Sequence, residues 1–170
     1  VLFTHNKIRE VVMAKKVGTI ISHWYHHLGN LQDSPQRFYT AFEEAIKRHE
    51  LPEVKISRTH YREGGLLSAK REYLRATRKQ LIFDICAAPF GKGFFVSWWL
   101  GEPRGLLQDF PILGAFFRPV TYYRYDTALM FQESIHSAVL EVVDETTQAK
   151  GLRALTELEK KPILSSFFKR

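Results

Sequence analysis

A single cysteine, Cys86, in a chain of 170 residues rules out an internal disulfide and any zinc site built on four thiolates. One thiol fits a reducing compartment, so a cytoplasmic location is expected, with membrane association as an addition to it. No apolar run reaches the roughly 20 residues that a membrane-spanning helix needs, which leaves the surface of a bilayer rather than its interior. The first residues lack the zones of a secretory signal, and a chain that opens on Val1 rather than Met is expected to be a fragment or a trimmed piece. Also lacking are paired carboxylates at catalytic spacing, a nucleophile elbow and a dinucleotide fingerprint. Gly91-Lys92-Gly93 has neither the spacing of a phosphate-binding loop nor a helix after it, and reads as a hairpin turn. His23 and His27 have the four-residue spacing of some zinc helices, but the glutamate and third ligand of those motifs are missing. No metal, cofactor or catalytic residue is therefore expected. An enzyme is the third reading, and it would need His60 or His136 beside Cys86 or Asp84.

What is there suffices for a core. Hydrophobic residues make up 45% and aromatics 14% of the chain, enough for one α+β domain over residues 1–170. Val17, Ile20, Ile21, Trp24 and Leu28 recur at three- and four-residue spacings and predict an amphipathic helix over 6–28. Ser34-Pro35 supplies a cap and first turn for a second helix over 35–50. The period then changes to predict a four-stranded antiparallel meander, with strands 53–63, 66–77, 81–88 and 93–100, the first two joined by Gly64-Gly65. An apolar loop over 101–119 precedes a long helix over 126–147 that packs on the sheet, and a short helix is expected over 152–161.

Charge is unevenly spread. The chain carries 25 Lys and Arg against 18 Asp and Glu, a net of +7. Lys55 to Lys79 holds eight basic and two acidic residues, whereas Asp126 to Thr147 holds five acidic and no basic ones. One expectation is that the acidic helix lies against the basic hairpin and neutralises it. With Gly64-Gly65 as the turn, Arg58 faces Arg71, and alternation gathers Arg58, His60, Arg62, Arg71 and Arg75 on one side of the hairpin. Facing arginines repel unless an anion or a carboxylate lies between them, so these five residues form the candidate anion-binding face.

The segment between Arg104 and Arg118 holds Leu107, Phe110, Ile112, Leu113, Phe116 and Phe117, with Trp98-Trp99 before it and Tyr122, Tyr123 and Tyr125 after it. Such a stretch most often belongs to the core. It also suits interfacial contact with a membrane or another partner, or a homo-oligomer interface. The leading functional expectation is a non-enzymatic interaction domain for an anionic partner, an acidic lipid headgroup or an acidic protein surface, associated with a membrane or a membrane protein. The alternative is a nucleic-acid binder with Tyr61 or Tyr73 stacking on bases.

Overall fold

In a computed structural model the chain is described over residues 17–62, 70–103 and 121–164. The elements in chain order are β1 (Val17–Gly29), α1 (Pro35–Arg48), β2 (Lys55–Arg62), β3 (Lys70–Arg78), β4 (Leu81–Phe90), β5 (Gly93–Pro103), α2 (Tyr122–Ala149) and β6 (Ile163–Leu164). The α+β class stands, but the expected architecture is corrected. The sheet has six strands in the order β2-β3-β4-β5-β1-β6 rather than four, and there are two helices rather than four among the described residues.

The largest correction is β1, a strand where a helix was expected over 6–28, of which residues 6–16 lie outside the described residues. Ser22, Trp24 and Leu28 point to the helix-covered side at the two-residue spacing of a strand. Toward its start, β1 slips register against β5 between Val17 and Thr19 and again between Ile20 and Ser22. Each extra residue flips what precedes it to the other side. Val17 and Ile20 therefore lie on the side opposite Trp24, and Ile21 is itself inserted. The apparent helical stripe is thus two strand faces put out of phase by two bulges. Gly101 makes room for this, because a Cβ there would sit 2.5 Å from the Thr19 carbonyl oxygen and 2.6 Å from Val17 Cγ1.

Both helices cover one side of the sheet. The Ser34 hydroxyl accepts the Arg37 amide at 3.1 Å to cap α1, which buries Phe38, Phe42 and Ile46. α2 starts four residues before the expected Asp126 because Thr121 is its cap and Arg124 binds both carboxylate oxygens of Glu102 on β5 at 2.6 Å. Phe131, Ile135, Val139, Val142 and Val143 of α2 then meet Phe83, Ile85, Val96, Trp98 and Leu100 from the sheet in a single apolar cluster. Each such buried side chain contributes roughly 1.5–3 kcal/mol. The expected short helix over 152–161 is one turn at 157–160. The Thr156 hydroxyl accepts the Glu159 amide and the Glu159 carboxylate accepts the Thr156 amide, a reciprocal cap with Pro162 too close behind for a helix to follow.

That turn is fastened to the core through its carbonyls. Trp98 Nε1 donates to His136 Nδ1 at 2.9 Å, so the His136 proton is on Nε2, which donates to the Lys160 carbonyl at 2.6 Å. Trp24 Nε1 donates to the neighbouring Glu159 carbonyl at 2.7 Å. Burial pushes the His136 pKa below its ordinary value of 6.5, and burial moves His26 in the same direction. The unfolded chain therefore takes up protons near pH 6.5 that the native state refuses, so stability declines as pH falls below that value. Urea denaturation is expected to give a lower midpoint at about pH 5.5 than at about pH 7.5, with His136→Phe losing part of the difference. A midpoint that does not change over this range contradicts the neutral, buried imidazole.

Candidate functional site

The β2–β3 register decides where each basic side chain goes. Pairing runs from Lys55 opposite Thr77 to Arg62 opposite Lys70, with Arg58 opposite Leu74, Tyr61 opposite Arg71 and Ser57 opposite Arg75. The strands are thus displaced by three residues from the register centred on Gly64-Gly65, and residues 63–69 lie outside the described residues. An odd displacement exchanges the faces of one strand relative to the other. Alternation puts Arg58, His60 and Arg62 on the helix-covered side and Arg71 and Arg75 on the open side, so the five expected site residues do not share one face.

Arg58 is satisfied internally. It pairs with Glu43 of α1 at 2.8 Å and with Glu72 at 3.3 Å, and its guanidinium lies over the Tyr39 ring. His60 Nε2 is 3.4 Å from the same Glu72 carboxylate. The acidic face of α2 turns elsewhere: Glu141 holds Arg48 and His49 at the end of α1, and Asp144 is 3.8 Å from Lys160. The Arg48 and His49 hydrogen bonds hold the Glu141 carboxyl below its usual range.

On the open side one row of paired residues crosses the sheet: Ser57, Arg75, Asp84, Trp99, His23 and Ile163. Arg75 and Asp84, 5% and 2% exposed, form a two-pronged pair, Nε to Oδ1 at 2.6 Å and a terminal nitrogen to Oδ2 at 2.7 Å. The Tyr61 hydroxyl donates to Asp84 Oδ2 at 2.7 Å and packs edge-on against Tyr73, so its ring is committed within the sheet face. Burial and the Asp84 carboxylate both push the Tyr61 pKa up. Beside the pair, the indole of Trp99 stacks on His23 with centroids 4.7 Å apart. Val17, Ile20, Tyr61, Tyr73, Asp84 and Trp99 line an open cavity of about 320 Å³.

The second recess is at the far end of β3 and β4. Their ladder runs from Arg78 opposite Leu81 to Leu74 opposite Ile85. Continued, it would pair Glu72 with Ala87, but the Tyr39 hydroxyl of α1 occupies that place. It donates to the Glu72 carbonyl and accepts the Ala87 amide, both at 3.0 Å. The strands part around this wedge, and Arg62, Lys70, Arg71 and Glu72 line a cavity of about 430 Å³ there. Burial raises the Tyr39 pKa, which keeps the hydroxyl proton that bridges the two strands.

Cys86 lies between these two recesses, buried, with its thiol pushed up by burial and hydrogen-bonded to Tyr73 and Arg71. A thiol so placed is a poor nucleophile. His136 is engaged by Trp98 and Lys160, and His60 faces Glu72 on the other side of the sheet. Among the described residues no group of three metal-ligating side chains occurs, and no helix is long and apolar enough to cross a membrane. The expected contact residues Leu107, Phe110, Ile112, Leu113, Phe116 and Phe117 lie outside the described residues. Sequence reasoning missed Tyr39 and Trp99 as site residues; Asp84, a lone acid in an apolar run, implies either an arginine partner or a place at a strand edge. A buried acid within an apolar strand is a signal for such a partner, but choosing Arg75 required the register.

No known family model matches the chain, and no curated protein is similar to it. Among solved structures it is similar to the crystal structure of TTHA0849 from Thermus thermophilus, with 16% identity, coverage of 75% of this chain and 97% of that one, and a TM-score of 0.31. A likeness of that degree carries no functional argument.

The Arg75–Asp84 pair yields a direct stability test. Asp84→Ala strands the guanidinium without its two-pronged partner and is expected to cost about 3–5 kcal/mol in chemical denaturation. Replacing both residues, Arg75→Met with Asp84→Leu, is expected to recover most of that loss. A single-variant cost below about 1 kcal/mol would mean the pair is not what holds this face.

Proposed function

We propose that the chain is a non-enzymatic binding domain that takes the phosphate-bearing headgroup of an acidic lipid into the parted end of β3 and β4, at the surface of a membrane. The observation that supports this most is the basic lining of that recess. Arg62, Lys70 and Arg71 surround it, and the carboxylate among them, Glu72, is already engaged by Arg58 and His60. Guanidinium and ammonium groups converging on a concavity suit phosphate oxygens, and a recess of about 430 Å³ suits one headgroup better than a flat acidic protein face does. The overall charge of +7 adds long-range attraction toward an anionic bilayer.

Flotation with phosphatidylcholine vesicles, with and without a phosphoinositide, tests this reading. Recovery is expected on the acidic vesicles alone, falling as salt is raised and as soluble inositol hexakisphosphate is added. With each basic side chain near the surface worth about 1 kcal/mol, Lys70→Gln with Arg71→Gln is expected to weaken binding roughly thirtyfold. Equal recovery on neutral and acidic vesicles would remove the lipid reading. Retention of single-stranded nucleic acid at low salt without vesicle recovery would move the recess to that partner instead.

A further inference from the structure

The cavity beside Arg75 and Asp84 lies on the open side of the sheet; it shares Tyr61 and Tyr73 with the basic recess but none of that recess's charged residues. Its walls are apolar or aromatic: Val17 and Ile20 from β1, the Trp99 ring from β5, and the edge-to-face pair Tyr61 and Tyr73. Within them stands a carboxylate that is only 2% exposed. A buried ion pair is not needed for stability, since apolar residues of like volume commonly serve as well or better. Its place in the wall of a concavity is accounted for if it orients something bound there.

The hydrogen-bond inventory narrows what that is. The donors that reach Asp84 are committed: Arg75 gives it Nε–H and one terminal N–H, and Tyr61, whose oxygen itself accepts from Arg75, gives it the hydroxyl proton. What Asp84 has left is a lone pair on Oδ1, so a ligand must bring the donor. The carboxylate and the guanidinium cancel in charge, so a charged ligand would be desolvated here without a counter-ion. Trp99, 39% exposed and already stacked on His23 on one side of the site, offers a flat ring surface.

We propose that this cavity binds a small, uncharged, planar aromatic molecule bearing one hydroxyl or N–H donor, which stacks against Trp99 and donates to Asp84. At about 320 Å³ the space accepts a two-ring compound. The three tryptophans supply a clean readout, because the Trp24 and Trp98 indoles are buried and hydrogen-bonded to Glu159 and His136, whereas Trp99 borders the cavity.

The test is a titration of 15N-labelled protein with 2-naphthol, followed at the indole N–H signals and assigned with Trp99→Phe. A saturable shift is expected at Trp99 and not at Trp24 or Trp98. 2-Methoxynaphthalene has the same rings without the donor and is expected to bind about tenfold more weakly or worse. 2-Naphthoate is expected to leave Trp99 unmoved and to shift signals around Lys70 and Arg71. Val17→Trp, which fills the cavity from its rim, is expected to abolish the 2-naphthol shift while the rest of the spectrum keeps its native dispersion. A saturable shift that survives Val17→Trp, equal affinity for the methoxy compound, or no saturation at Trp99 would each overturn the proposal.

Discussion

Arg75 and Asp84 face one another across β3 and β4, and most of what distinguishes the two sides of the sheet follows from that pairing. A carboxylate buried to this degree cannot remain ionised alone, so the strands are held where the guanidinium reaches it with both prongs. Sliding β3 by one residue would deliver Arg75 into the apolar layer under the helices and bring Leu74 and Ala76 out of it. The hydrophobic alternation of β3 and the ion pair therefore specify the same register. With β3 fixed, β2 follows from its own pairing, which assigns Arg58 to the carboxylates of Glu43 and Glu72 and leaves Arg71 to the open side.

Local chemistry was readable wherever it was sufficient. The Ser34-Pro35 cap, the apolar runs that became β4 and β5, and the amphipathic body of α2 all rest on interactions within a few residues of each other. Failures came where one element takes its form from another. The spacing of Val17, Ile20, Ile21, Trp24 and Leu28 is helical on paper, and only the bulges that β1 makes against β5 reveal two strand faces. Likewise, glycines in sequence do not say how many residues a connection uses, so a plausible two-residue turn misplaced every cross-strand partner of Arg58 to Arg75. The Tyr39 wedge had no sequence signal at all. It exists because a ring from α1 reaches the rung that Glu72 and Ala87 would otherwise form.

The basic recess and the residues that flank the apolar segment lie at opposite ends of the strands. Arg62, Lys70 and Arg71 lie where β2 ends and β3 begins. Pro103 and Thr121, which flank the apolar segment, lie with Val17 and Glu102 at the opposite end of the strands. A strand of nine residues sets the two ends about 25–30 Å apart. Tyr122 and Tyr123, both exposed at the start of α2, belong to that second end. A planar surface approaching the basic recess thus meets guanidinium and ammonium groups first, and the tyrosines stand a sheet's length away from it.

The fastening of residues 159 and 160 recognises peptide oxygens rather than side chains: Trp24 and His136 each receive a carbonyl. Every amino acid presents that same oxygen. Replacement of Lys160 by another residue can therefore leave the attachment whole, while the receiving rings of Trp24, Trp98 and His136 have no such latitude. Evolutionary drift at position 160 should be wide in charge and size while the turn keeps its length, because one residue inserted or removed would carry both oxygens out of reach of the rings that hold them.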